Sequence, residues 1–267
     1  MNETVIRSLS GLVYIVLLIS ATLFSRESFL ILFGLFMLQT VNEFTGLVKL
    51  PKVLAILASA IIFINFSVFS SPQWIDLALV LIAVMTMVLL TFWLFSKNQK
   101  PFGQSKWATL MGYIVFSFIC ITKLPVVGGY FIPSIIIGIF ILIWTNDTFA
   151  YVVGKSLGKH KLFERISPKK TIEGFAGGMF FAIVAGIIIS QYYVTSFSFF
   201  IWIGIAIIVS VFGTIGDLVE SKFKRLANVK DSGNIMPGHG GIYDRLDSII
   251  FVAPFVFLLF KILEYVS

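Results

Sequence analysis

The sequence predicts an all-α fold: a polytopic bundle of about nine transmembrane helices with its N-terminus on the cytoplasmic side. Three observations predict it. The 267-residue chain is 58% hydrophobic and only 12% charged, about half the charge of an ordinary soluble domain. Its apolar residues run continuously instead of alternating, which favours helices over a membrane barrel. Its Lys and Arg residues gather in every second loop, the asymmetry that sets membrane orientation.

The apolar runs place spans at about Leu9–Phe24, Phe29–Val48, Val53–Ser70, Leu77–Phe95, Trp107–Thr122, Ile135–Val153, Gly174–Ser190, Phe197–Gly216 and Ser248–Tyr265. At roughly 20 residues per span, nine spans leave no room for a separate soluble catalytic domain. Any active site must be built from helix ends and loops. The first run shows no cleavage signal before its charged end and reads as retained. The N-terminus and the even-numbered loops carry seventeen of the twenty Lys and Arg, including Arg7, Lys49, Lys97 and Lys100. Only Arg26 and Lys123 lie in the odd-numbered loops, and Lys261 lies in the last span. The long polar loops are therefore expected in the cytoplasm. Residues 1–106 carry about four spans without a chemical motif. Residues 107–267 carry the rest, with polar loops at 154–173 and 217–247. The lone Cys120 excludes an intrachain disulfide and a cysteine-based zinc cluster.

Within the early spans, Glu43 lies close enough to the cytoplasmic end to snorkel to the interface. Trp74, Trp93 and Trp107 fit an interfacial aromatic belt. The sixth span places Asp147 about seven residues, roughly 10 Å, inside the bilayer. An acid at that depth costs about 2.5–3.5 kcal/mol and calls for a partner or a function. Asp147, Ala150, Gly154 and Gly158 follow one helix face. In SPKKTIEG, Ser167 is placed to cap a helix with Pro168 at its first position, beside Lys169 and Lys170. That arrangement would form a phosphate cradle. Gly174, Gly178, Ala182 and Gly186 form a small-residue stripe suited to tight helix packing.

The densest charge lies between Gly216 and Asp247, with five of the thirteen acidic residues and five of the twenty basic ones. Asp217, Glu220, Ser221 and Lys224 share a face at the end of the eighth span. Asp244 and Asp247, three apart, open the ninth. Oxygen ligands without a Cys or His cluster point to a hard cation, magnesium above all, of the kind held by carboxylates and nucleotide phosphates. Gly238, Gly240 and Gly241 around His239 let backbone approach a ligand and can aim N–H groups at phosphate. Lys224, Arg225, Lys230 and Arg245 can neutralise a polyphosphate. Net charge +7 agrees with anionic headgroups or phosphates as partners. No nucleic-acid partner is expected.

The elements Ser221, Lys224-Arg225, Lys230-Asp231, His239-Gly240-Gly241, Asp244-Arg245 and Asp247, with WTNDTFAY and SPKKTIEGFAGG upstream, resemble the CDP-diacylglycerol synthase, or phosphatidate cytidylyltransferase, family. The match covers about Trp144 to Pro254. Met236 departs from the Leu, Ile or Phe expected there. The resemblance implies that CTP and phosphatidate give CDP-diacylglycerol and pyrophosphate at the cytoplasmic face of a membrane, bacterial plasma membrane being expected. It implies Asp217, Asp244 and Asp247 as magnesium ligands with Asp231 as a further candidate. Lys224, Arg225, Lys230 and Arg245 would hold the triphosphate. Lys169 and Lys170 would contact phosphate, His239 would donate to phosphate, and Asp147 would orient a base or close the cavity. Ser221, Gly240 and Gly241 complete the expected substrate contacts. A homodimer is compatible with the sequence. Two competing readings are a CTP-dependent lipid kinase, which transfers the γ-phosphoryl group, and a cation-coupled transporter. The latter would place its polar residues at the midplane and show an inverted repeat, neither of which the sequence does.

Overall fold

The computed structural model describes residues 3–69, 71–97, 105–238 and 240–266. Ser70, Lys100, His239 and the Arg7 side chain, all used above, lie outside what it describes. Nine helices fill the described residues. They are α1 (Glu3–Phe24), α2 (Arg26–Val48), α3 (Lys52–Val68, ending in the π-helical turn Ile64–Val68), α4 (Gln73–Phe95), α5 (Lys106–Thr109, π-helical Leu110–Val115 and Phe116–Lys123), α6 (Pro133–Leu157), α7 (Ile172–Tyr192), α8 (Phe199–Leu226) and α9 (Tyr243–Val266). They correspond one for one with the predicted spans. Six of them (α2, α4 and α6–α9) are long and apolar enough to cross a membrane, and α1 and α3 contain shorter apolar stretches. The chain is a polytopic helical bundle.

Two hairpins were not anticipated. Between α5 and α6, β1 (Val126–Val127) pairs with β2 (Tyr130–Phe131). Gly128 and Gly129 turn it at φ 57° and 84°, the left-handed pair a two-residue hairpin requires. Between α6 and α7, β3 (Lys161–Phe163) pairs antiparallel with β4 (Ser167–Thr171). This corrects the expected start of the seventh helix. Ser167 and Pro168 lie in a strand, and the cap is Thr171, whose hydroxyl accepts from Gly174 N at 3.1 Å. Pairing with β3 gives the 167–171 backbone an alternative to helix, so the helix begins four residues late. Glu173 in its first turn accepts from the backbone of Lys159 and His160 and from His160 Nδ1 at 2.6 Å. The hairpin is thereby locked to α7.

The small residues of α6 and α7 face one another. A Cβ added at Gly174 would lie 2.6 Å from Ala150 O, and one at Gly178 would lie 2.7 Å from Asn146 O. Gly186 plays the same part against Trp202 of α8, with 3.0 Å to its carbonyl oxygen. Gly178→Leu should therefore cost roughly 1–3 kcal/mol by overpacking. Gly46→Ala on α2, where nothing lies within 4 Å, should be neutral. Thermal unfolding of both variants in one detergent checks this, and equal midpoints would contradict the packing.

The charged end of α8 is also fastened. Lys222, buried, donates to the carbonyls of Trp93 and Ser96 and lies 4.1 Å from the Trp93 ring centroid. Arg165 donates to Leu94 O at 3.3 Å and Ser96 O at 2.9 Å. Two cations thus cap the last carbonyls of α4, the end where a helix carries partial negative charge. They fix the 158–171 segment beside α8.

Candidate active site

Asp217 and Glu220 lie one turn apart on α8, and Asp247 comes from the first turns of α9. One carboxylate oxygen from each lies within 4.8 Å of the others. Glycine sets this approach. A Cβ on Gly216 would sit 2.6 Å from Phe251 Cβ and 2.9 Å from Asp247 O, so only a bare backbone lets α8 and α9 come this close. Around the trio, Lys170 Nζ reaches Asp217 Oδ2 at 2.6 Å from β4, and Ser221 Oγ donates to Asp217 Oδ1 at 3.3 Å. Asp247 Oδ1 accepts from Ser248 N at 2.7 Å. Three carboxylates this close repel strongly in a low-dielectric setting unless positive charge lies among them. All-oxygen donors of this kind suit a hard divalent cation.

Asp244 occupies a different place. Its Oδ1 pairs with Lys224 Nζ at 2.7 Å. Its Oδ2 accepts from Ser232 N at 2.9 Å, Ser232 Oγ at 2.8 Å and Gly241 N at 2.7 Å. Lys224 also pairs with Glu220 Oε1 at 2.7 Å. Asp244 therefore holds the 231–241 segment against the end of α8, while Glu220 stands in the trio with Asp217 and Asp247. The sequence had placed Glu220 on the right helix face without selecting it.

Glu43 of α2 is the residue that sequence reasoning missed. It does not snorkel. It is buried and accepts from Gln39 Nε2 at 2.7 Å, Ser232 Oγ at 3.1 Å, Ile242 N at 3.1 Å and Tyr243 N at 2.8 Å. It thus satisfies the free N–H groups that open α9. A Cβ on Gly233 or Gly241 would collide with its carboxylate, and one on Gly240, at φ 86°, would meet Asp244 Oδ2 at 2.5 Å. The glycines of the turn admit two internal carboxylates, and the N–H groups of Gly241, Ile242 and Tyr243 are spent on them.

The remaining predicted residues, Asp147 among them, are exposed, and two of them also line a cavity. The others are Lys169, Arg225, Lys230, Asp231 and Arg245, and Arg225 donates to Val229 O at 3.3 Å. Asp147, next to Asn146 at 3.3 Å, lines a cavity of about 270 Å³. Asp244, Arg245 and Asp247 line its charged side and Gly11, Tyr14, Phe140 and Trp144 its other walls. Carboxylates, an arginine and aromatic rings thus face one space at the α1, α6 and α9 junction. The arrangement can hold a cation and a phosphorylated, partly apolar substrate together.

Comparison with known proteins places this geometry. The model of the cytidylyltransferase family matches residues 5–263. A phosphatidate cytidylyltransferase of Staphylococcus haemolyticus is 32% identical over 258 residues, 95% of this chain and 98% of the relative. One of Bacillus subtilis is 40% identical over 216 residues, 80% and 79% of the two chains. One of Staphylococcus aureus is 41% identical over 178 residues, 66% of each chain. With acidic side chains of α8 and α9 converging beside a cavity lined by carboxylates and an arginine, and with a family match along nearly its whole length, this chain belongs to the cytidylyltransferase family.

Proposed function

We propose that the chain is a phosphatidate cytidylyltransferase, converting CTP and phosphatidate to CDP-diacylglycerol and pyrophosphate. The observation that carries the reading is the carboxylate trio Asp217, Glu220 and Asp247 adjoining a cavity with Arg245 on its wall. The names of the bacterial relatives support the choice of substrates.

In this reaction an oxygen of the lipid phosphate attacks the α-phosphorus of CTP, the bond from that phosphorus to the bridging oxygen breaks, and pyrophosphate leaves. A phosphate monoester is ionised at neutral pH, so the nucleophile needs no strong base. The chain's task is to bring two anions together and hold them in line. Magnesium is the expected cation, held by Asp217, Glu220 and Asp247, and when bound it would neutralise developing charge on the phosphates. Lys170, 27% exposed and paired with Asp217, is placed to shift between that carboxylate and a phosphate oxygen. Arg245 offers a planar donor pair to a phosphate in the cavity. Lys224 positions Glu220 and Asp244. Lys169, Arg225 and Lys230 supply positive charge at the exposed mouth, where an anionic nucleotide first arrives. Asp147 bounds the cavity on the α6 side.

On this reading the site lies on the cytoplasmic side, with the N-terminus, which the distribution of Lys and Arg supports, and the bacterial relatives support a plasma membrane. That α1 and the 227–242 segment meet, through Ser10 Oγ donating to Pro237 O at 3.0 Å, agrees with both lying at one face of the bundle.

Purified protein given magnesium, CTP and phosphatidate should yield CDP-diacylglycerol and pyrophosphate, identified by mass. Release of CDP with a further-phosphorylated lipid would replace this reading with a lipid kinase. No CTP-dependent product from folded protein would remove both.

A further inference from the structure

The polar cavity continues into a groove of different chemistry. This groove, about 380 Å³, runs between α1 and the 235–242 segment. Leu9, Val13 and Leu17 line it from successive turns of α1, and Ile235 and Ile242 face them. Leu9, Val13, Leu17 and Ile235 are each between 44% and 56% exposed, so the groove opens to whatever surrounds the bundle. Two residues, Tyr14 and Met236, line both the groove and the charged cavity. The Tyr14 hydroxyl is buried at that junction and has no hydrogen-bond partner among the described residues. A buried hydroxyl of this kind is costly unless something else satisfies it. Its ring is held by Phe36, 5.9 Å between centroids.

An apolar trough that ends at an arginine and carboxylates, with a spare hydroxyl at the boundary, matches one kind of molecule: an amphiphile with an anionic head. We propose that the groove seats one acyl chain of the phosphatidate substrate, and that Tyr14 donates to the ester or phosphate oxygen where the chain meets its headgroup. This rests on the phosphatidate reading above and adds the recognition of the lipid's tail. It makes α1 a part of the substrate site, and Tyr14 a positioning residue whose hydroxyl touches lipid and not the reacting phosphorus.

The test compares dioleoyl with dihexanoyl phosphatidate in the purified full-length chain, alongside native mass spectrometry of bound dioleoyl lipid. Val13→Trp and Leu17→Trp each fill the groove from α1, and two variants guard against one failing to fold. Met85→Trp, on an exposed face of α4 remote from the groove, controls for a bulky ring in lipid. Filling the groove should lower kcat/KM for the dioleoyl lipid by about tenfold or more, through KM. Activity on the dihexanoyl lipid and KM for CTP should stay as in the wild type. Tyr14→Phe should raise KM for both lipids by about fivefold, the worth of one hydrogen bond. Met85→Trp should change nothing. Equal losses on both lipids, or no loss on either, in folded Val13→Trp and Leu17→Trp would overturn the groove assignment. Wild-type protein that retains dioleoyl phosphatidate but converts neither lipid would sink the reaction. It would spare the groove only if the two Trp variants lose that retention.

Discussion

Asp247→Asn should lower kcat by roughly a hundred- to a thousandfold, the range seen when one preorganised electrostatic group is removed from a transition state. The thermal midpoint should hold or rise. Both halves come from the same geometry. Asp247 has an oxygen within 4.8 Å of oxygens of Asp217 and Glu220, a crowding of like charge that destabilises the folded chain when no cation offsets it. Asn keeps the volume and can still accept from Ser248 N, but it removes one charge. Stability gained with activity lost is the pattern of a site held against its own repulsion. Glu220→Gln should behave in the same way, and higher magnesium should partly restore either variant. Near-normal turnover by Asp247→Asn would remove it from the site. A collapse of the midpoint together with activity would make Asp247 a structural residue.

The opposite signature is expected at Glu43. Glu43→Ala should lower stability by roughly 2–5 kcal/mol, because it leaves two buried backbone donors, Ile242 N and Tyr243 N, without an acceptor. Ser232 Oγ and Gln39 Nε2 lose the same partner. The damage falls on the segment that Asp244 and Glu43 jointly clamp, so activity should decline with the folded population and with the loosened turn. Glu43→Gln retains an accepting oxygen and should fall between Ala and wild type. Thermal unfolding in a single detergent, with turnover measured on the folded fraction, reads both effects. A Glu43→Ala variant as stable as wild type would overturn the clamp.

These two acids show what sequence spacing can bring together and what it cannot. Asp217, Glu220 and Lys224 share a face because helical spacing dictates it, and Asp247 belongs to the same story because helix ends on one side of a bilayer are brought near each other. Glu43 carries no local signal. It lies some two hundred residues from the backbone it caps, and Gln39 and Asn42 beside it in sequence do not tell it from an acid reaching the interface. Asp244 shows the converse. Three residues from Asp247 on the same helix, it carries no sequence signal that Ser232, Gly241 and Lys224 meet its oxygens. The hairpin of β3 and β4 was hidden because SPKK reads equally well as a helix start, and only the partner strand decides.

What the sequence alone determined is what depends on composition and short-range periodicity. Continuous apolar runs must become helices in lipid, since backbone groups there can be satisfied in few other ways. Charge density marks the ends at which chemistry collects. What only the tertiary structure decided is which of several equivalent charges meet. That depends on how closely helices approach, and here glycines 174, 178 and 216 set the approach by leaving no Cβ between backbones. It also decided that α1, featureless as a string of apolar letters, joins an apolar groove to the charged cavity, because surface shape is a property of packed neighbours and not of any one segment.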